Sequence, residues 1–387
     1  MAKRSISRFL RIPLMILAVL ALFLTAASPA YSQPKTCTNA RTVVDVEALG
    51  LVTFPTGYMF ADTEVGGLSG IAYDSQRGVY YALADERTNA HFYTVDIDLS
   101  DGSLDPGDVT FQGVTFLTEK NRSDFAPGSL DPEDIDLPRP GFLFISSEGD
   151  ADATPPIDPF VNRFNLPGKL TRELPIPDKF LPDPQENTGI RDNLAFESLT
   201  STPNRRFLYT ATENALLQDG PPSTITESSP SRVLQYDLDS KRPLAEYVYF
   251  VNPIPRIPVP AGSYADNGLV DLQALDNCGT FLAMERSYAV GVGNTVVLFE
   301  TSTHDATDVS SWDTLNTLMP YDPMSKQFVA DLEQDLGVVP DNVEGMIFGP
   351  VLPDGRITLI LVSDNNFNPT QTTQFIALVV DLGPASQ

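Results

Sequence analysis

One two-strand pattern occurs five times along the chain, and this repetition constrains the fold more than any other feature. Each unit has a short strand led by a polar or acidic residue, a turn, and a second strand ending in an acid. The first unit runs Ser69-Gly-Ile-Ala-Tyr and then Tyr81-Ala-Leu-Ala-Asp85. The second is Glu133-Asp-Ile-Asp-Leu with Phe144-Ile-Ser-Ser-Glu148, and the third is Glu197-Ser-Leu-Thr-Ser with Tyr209-Thr-Ala-Thr-Glu213. Asp271-Leu-Gln-Ala-Leu with Phe281-Leu-Ala-Met-Glu285 makes the fourth, and Glu344-Gly-Met-Ile-Phe with Ile360-Leu-Val-Ser-Asp364 the fifth. Unit starts lie 64 to 74 residues apart, a period long enough for several strands per unit and characteristic of a β-propeller.

Short apolar or alternating runs between turns rich in Gly, Pro, Asp and Asn read as antiparallel strands. Two further strands fit after the first unit, Phe92–Ile97 and Val109–Leu117, and two after the third, Arg232–Asp237 and Ala245–Val251. The fifth has one, Gln374–Val380, and the segment Thr42–Phe54 supplies its missing outer strand, which closes the ring and leaves no open edge at the seam. The expected fold is all-β: a propeller of five four-stranded blades, or six if the stretch 286–343 holds another. Pro-rich stretches at 155–159, 175–184 and 253–260 read as loops within one domain. In Ser325–Leu336, Phe328, Leu332 and Leu336 recur at helical spacing, and an amphipathic helix is expected there.

Lys3, Arg4, Arg8 and Arg11, the apolar run Leu14–Leu24 and the small residues Ser28 and Ala30 form the three parts of a secretory signal. The apolar run is shorter than the roughly 18–20 residues of a spanning helix. Residues 1–30 are therefore read as a signal peptide, 31–42 as a lead and 43–384 as the propeller. The product is expected to be periplasmic or extracellular, with no stable membrane insertion after cleavage. In an oxidising compartment Cys37 and Cys278 are candidates for a disulfide; two separate thiols are the alternative.

The net charge of −26 becomes −30 once the four basic residues of 1–30 are removed. Such a surface repels nucleic acid and anionic lipid and concentrates cations. In a propeller the start of the innermost strand and the end of the next lie on one face. The pairs Glu133 with Glu148, Glu197 with Glu213, Asp271 with Glu285 and Glu344 with Asp364, and Asp85 opposite Ser69, should then converge on one mouth of the channel. Crowded carboxylates raise one another's pKa. A hard cation relieves this, and Ca²⁺ accepts six to eight oxygens in irregular geometry. Asn214, Asn365, Asn366 and the carbonyls of Gly70 and Gly149 are further oxygen donors nearby. With only His91 and His304 and no Cys–His spacing, zinc is not indicated. Turn capping, or pairing with the adjacent Arg87 and Arg286, is the plainer reading of such acids.

Three ordered motifs carry a resemblance. Gly67-Leu-Ser-Gly-Ile-Ala-Tyr-Asp74 followed by Tyr80-Tyr-Ala-Leu-Ala-Asp-Glu-Arg87 is the first. Asn193-Leu-Ala-Phe-Glu-Ser-Leu199 with Tyr209-Thr-Ala-Thr-Glu-Asn214 is the second. Asn342-Val-Glu-Gly-Met346 with Leu361-Val-Ser-Asp-Asn-Asn-Phe367 is the third. Together they resemble the phytase-like family called esterase-like activity of phytase, over about residues 43–384.

The resemblance implies a hydrolase of a small-molecule ester or phosphoester that uses a calcium-activated water at an acidic channel mouth. It implies metal ligation by Glu133, Glu148, Glu197, Glu213, Glu344 and Asp364, to which the repeat adds Asp85 and Glu285. Glu197 and Glu213 become the candidate catalytic acids, and Arg87 and Arg286 the candidates to meet the substrate. Phytases of this kind also carry several lysines at the site, and no Lys stands beside these motifs, which argues against a highly phosphorylated inositol.

Two other functions are compatible with the sequence. A serine hydrolase would need Ser69 as nucleophile, but Gly-Gly-Leu-Ser-Gly is not the Gly-x-Ser-x-Gly elbow, and neither His lies in an acidic motif. A non-catalytic propeller that binds a ligand or protein, with structural calcium, is the alternative from another class. Trp312 lies in a polar loop as either a lid or a surface aromatic.

Overall fold

The computed structural model describes Met1, Cys37 and residues 39–385 apart from Glu186 and Thr317. The expected signal peptide, Met1 aside, and most of the lead lie outside the described residues. The chain divides into two compact units, Met1–Cys37 and Thr38–Gln387, and the second holds all the described strands.

Five four-stranded antiparallel sheets make up this unit. Blade 1 comprises Leu68–Asp74, Val79–Ala84, His91–Ile97 and Val109–Phe116, and blade 2 comprises Pro132–Arg139, Phe142–Ser147, Phe160–Asn165 and Leu170–Glu173. Blade 3 comprises Phe196–Ser201, Phe207–Thr212, Ser229–Asp237 and Arg242–Val251. Ala265–Ala274, Thr280–Ala289, Gly293–Ser302 and Ser325–Asp331 form blade 4. Blade 5 takes Asn342–Val351, Ile357–Asp364 and Thr372–Pro384, and its outer strand is the N-terminal segment Arg41–Pro55. That segment pairs antiparallel from Arg41↔Pro384 to Pro55↔Thr372, closing the ring as the sequence predicts. The first strands of successive blades touch in order, and blade 5 returns to blade 1, so they line the axis.

Blade 4 corrects two expectations. Ser325–Asp331 is its outer strand, paired with Gly293–Ser302, not a helix. Phe328 stacks on Phe299 across that pair, with ring centroids 6.2 Å apart, and only the residues after Asp331 form turns. The stretch 286–343 therefore supplies strands to blade 4 and holds no sixth blade.

Packing follows from strand alternation. Apolar side chains on the two faces of each sheet meet those of the neighbouring blades, giving five main clusters, one at each interface. The aromatic residues that recur just before the acids sit here: Tyr80 between blades 5 and 1, Tyr81 between 1 and 2, Phe144 between 2 and 3, and Tyr209 with Phe281 between 3 and 4. Each such side chain contributes about 1.5–3 kcal/mol on full burial. Both cysteines are disulfide-bonded.

Candidate functional site

One backbone device builds the mouth. In every blade the first strand carries a register shift near its start, opposite the end of the second strand. The bulged residues are Ser69, Glu133 with Asp134, Glu197, Val270 and Glu344. A bulge re-aims a side chain that simple alternation would send into the sheet stack, and here it turns acids toward the axis. On the second strand, the residue just past the partner of the pre-bulge position is Asp85, Glu148, Glu213, Arg286 and Asp364 in turn. Blade 4 thus places Val270 and Arg286 where its neighbours place acids.

The fourth predicted pair, Asp271 with Glu285, is therefore displaced by one residue. Successive strand residues face opposite ways, so Glu285 faces away from the mouth. Its carboxylate pairs with Lys326 and accepts hydrogen bonds from the Tyr249 hydroxyl at 2.9 Å, Asn267 Nδ2 at 3.1 Å and Asn252 N at 3.2 Å. This saturated carboxylate has no capacity for an ion. It also shows that one lysine does reach an acid of the repeat, from a strand remote in sequence.

Asp271 lies one step deeper in the channel. Its oxygens accept from Leu272 N and Met346 N, both at 2.6 Å, and it shares a further hydrogen bond with Asp134. Two carboxylates can share such a bond only if one is protonated. Burial holds both well above the usual carboxylate range. Gly70 makes room for this pair: a Cβ there would stand 2.5 Å from Asp134 Oδ1.

Around the mouth, Asp85, Asp131 and Glu133 bring one carboxylate oxygen each within 4.8 Å of one another. Arg87 pairs with Asp131 and remains 44% exposed. Glu148 accepts from Ala195 N and shares a side-chain hydrogen bond with Glu197. Glu213 reaches across to blade 4, where Gly268 is required because a Cβ there would overlap its carboxylate. Arg286 binds Glu344 at 3.2 Å, Asp266 at 3.3 Å and Glu213 at 3.7 Å. Its guanidinium is thus held by three carboxylates of the site.

Burial, and secondarily mutual repulsion, holds the carboxyls of Asp85, Glu133, Glu148 and Glu197 well above their ordinary range. Burial pushes Glu213 up to about 8 against the opposing pull of Arg286, and pushes Asp364 up to about 8 with Glu344 adding to the effect. Glu344 is raised by burial and eased by Arg286. Eight carboxylates (Asp85, Asp131, Glu133, Glu148, Glu197, Glu213, Glu344 and Asp364) thus form one electrostatically coupled ring with two arginines at its margin.

Asp131 and Asp266 are the site residues that sequence reasoning missed. Both precede the recurrent motif, Asp131 just before the first strand of blade 2 and Asp266 near the start of that of blade 4, where no recurrent pattern marks them. The expected extra donors Asn214 and Asn365 are engaged in loop bonds. Asn214 joins Asn267 O and Ser223 N, and Asn365 Oδ1 accepts from Gly67 N and Phe367 N. Ser69 donates to Pro132 O at 3.2 Å as a strap between blades, and His91 packs in the third strand of blade 1 against Tyr93 and Phe116. Trp312 packs beside Val248 of the outer strand of blade 3, and its carbonyl accepts from Lys179 and Arg232.

The donor set suits a hard cation. It is all oxygen, it carries excess negative charge, and Asp85 Oδ1 and Asp131 Oδ1 are buried without a hydrogen-bond partner. Asp85, Asp131 and Glu133 could hold a metal ion.

Comparison with solved structures returns loose likenesses to other proteins. An endo-arabinase from Bacteroides thetaiotaomicron VPI-5482 matches at 13% identity over 85% of this chain and 96% of that one, with a TM-score of 0.41. The periplasmic gluconolactonase of Pseudomonas aeruginosa matches at 11% identity over 83% and 89%, with a TM-score of 0.34. A gluconolactonase from Xanthomonas campestris matches at 13% identity over 80% and 71%, with a TM-score of 0.32. Likenesses this loose carry no inference about chemistry. No curated protein matches the chain. The phytase-like profile, described as esterase-like activity of phytase, matches residues 63–367. That span runs from just before the first acidic motif to just past the last, and the protein belongs to this family.

Proposed function

We propose that this protein is an exported, calcium-dependent hydrolase of small-molecule phosphoric or carboxylic esters, acting at the acidic mouth. The observation that carries this reading is the trio Asp85, Asp131 and Glu133, with its two buried, unpartnered oxygens. Asp85, Asp131 and Glu133 would hold one ion, and Glu148, Glu197, Glu344 and Asp364 would extend the ligand set around the ring. A bound Ca²⁺ would neutralise this charge, polarise the ester oxygen and acidify water bound to it.

The chain's own residues supply the rest. Arg87, half-exposed above Asp131, presents a planar fork that matches a phosphate or carboxylate oxygen pair. Glu213, raised to about 8, holds a proton at neutral pH that it can deliver to the leaving oxygen. Glu197, hydrogen-bonded to Glu148, would accept the proton of the attacking water once cation binding has displaced its own. Hydroxide then adds to phosphorus or carbonyl carbon, the ester C–O or P–O bond breaks, and the alcohol leaves protonated.

Export is supported by the disulfide-bonded cysteines and the basic-apolar N-terminal pattern. Among the described residues no helix is long and apolar enough to cross a membrane. A calcium titration following melting temperature together with hydrolysis of p-nitrophenyl phosphate and p-nitrophenyl acetate tests the proposal. Calcium is expected to raise both stability and turnover, and the preferred ester names the class. Stabilisation without turnover on either would mean a binding propeller with a structural ion. No response to calcium would overturn the metal reading.

A further inference from the structure

Beside the ring a crevice of about 580 Å³ opens across blades 4 and 5, with Arg286 and Glu344 among the residues lining it. Its chemistry differs from that of the ring. Amide side chains enter from separate segments: Asn193 before blade 3, Asn294 in blade 4, and Asn342, Asn366 and Asn368 in blade 5. Each amide offers both a donor and an acceptor, as does each hydroxyl of a polyol. Three carboxylates, Asp266, Asp341 and Glu344, stand against one cation, Arg286, which those of Asp266 and Glu344 already hold together with Glu213. A polyanion would be repelled here.

One wall is aromatic. Tyr264 is 65% exposed and Tyr288 36% exposed, and their rings stand 6.4 Å apart at 39°. The Tyr264 hydroxyl donates to Asp266 Oδ2 at 2.8 Å, and the Tyr288 amide donates to Asp266 Oδ1 at 2.8 Å. The carboxylate that holds Arg286 therefore also fixes the aromatic wall. Tyrosine presents an apolar face with a polar tip, and a few placed polar groups around an apolar surface are the usual make-up of a small-molecule site. An uncharged pyranose, with C–H groups on its faces and hydroxyls on its rim, satisfies both parts of this lining.

We infer that the crevice between blades 4 and 5 is a binding site for an uncharged hexose ring, which forms the alcohol half of the ester cleaved at the mouth. The role as alcohol half rests on the hydrolase reading; the sugar site itself does not.

The test titrates the full mature protein, metal-free and calcium-loaded, with methyl α- and β-glucosides, galactosides and mannosides, by calorimetry. At least one glycoside should bind at millimolar concentration, and the double variant Tyr264→Ala, Tyr288→Ala should weaken it by about tenfold or more while melting within a few degrees of the parent. Asn294→Ala, on the same wall but outside the aromatic pair, should give a smaller loss and guards against a double variant that misfolds. Binding by none of the six glycosides, or binding that survives loss of both rings, overturns the inference. Glycoside binding without hydrolysis of either p-nitrophenyl ester removes the alcohol-half role and the hydrolase reading but keeps the sugar site. Hydrolysis without glycoside binding overturns the sugar site alone.

Discussion

Two regions of the propeller bury charge, and they do it in opposite ways. Against the outer half of blade 3, Arg232 is wholly buried. It binds Asp219 through two nitrogens at 2.6 and 3.1 Å and Glu246 at 2.9 Å. Lys179 reaches the same glutamate at 3.2 Å and the carbonyls of Ser310 and Trp312 at 2.7 and 2.9 Å. Two cations meet two anions, and the network pins the loop carrying Trp312 to the blade. At the mouth, eight carboxylates meet two arginines, and oxygens of Asp85 and Asp131 are left without partners. Burial alone therefore does not mark a functional site. A closed charge balance marks structure, and an open one marks a place for protons, a cation or a ligand.

The sharpest way to break the comparison is to unbalance the closed network. Arg232→Met leaves Asp219 without its cation and Glu246 with Lys179 alone, and should cost about 3–5 kcal/mol. The cost, read by chemical denaturation, should be the same with and without calcium. A loss that calcium restores would mean the two regions are not independent.

The opposite sign is expected at the mouth. Glu197→Gln relieves repulsion and should raise the stability of the metal-free protein by about 1 kcal/mol, the worth of roughly one pKa unit. The same change should reduce calcium-induced stabilisation and lower ester turnover by about 100-fold or more. Paired melting curves with and without calcium check both. If Glu197→Gln destabilises the metal-free protein, the ring acids are turn caps after all.

The smallest effect is on pH. Glu213 and Asp364 are pushed up to about 8 in the fold, against about 4 in an unfolded chain. Between these values the folded protein holds protons that the unfolded chain has lost, so stability falls as pH rises through the window. The metal-free melting temperature should therefore drop by a few degrees between about pH 5 and 8. Saturating calcium should flatten the slope, because it replaces the proton of Asp364. A metal-free slope of zero would contradict the raised carboxyls.

Much of this architecture was legible in the sequence because a propeller blade writes itself as alternation and turns. The five units, the further strands and the closing role of Thr42–Phe54 were all readable this way. What was not legible is the bulge. Ser69, Glu133, Glu197 and Glu344 each sit where the ladder slips by a residue, and alternation cannot say which side chain a slip turns inward. In blades 2, 3 and 5 an acid stands at the bulge itself, as Glu133, Glu197 and Glu344. In blade 4 Val270 stands before Asp271 and Glu285 before Arg286, and the pair was placed one residue off. The spacing of Phe328, Leu332 and Leu336 suggested a helix because it takes no account of pairing with Gly293–Ser302. Asp131 and Asp266 stand ahead of the recurrent acids, just before the first strand of blade 2 and near the start of that of blade 4, and their reach into the site is a tertiary fact with no local signature.

The ring closes through its first and last strands, Arg41–Pro55 and Thr372–Pro384, and this sets an order of assembly. The strand that leaves the ribosome first must wait for the one that leaves last. Until then blade 5 lacks its outer edge and blade 1 lacks a neighbour, while the intervening blades can already form from contiguous chain. Pairing across so long a separation in sequence is slow. The acids Glu344 and Asp364 complete the ring from that same final blade, so the mouth assembles last, and no partly made chain can carry the finished site.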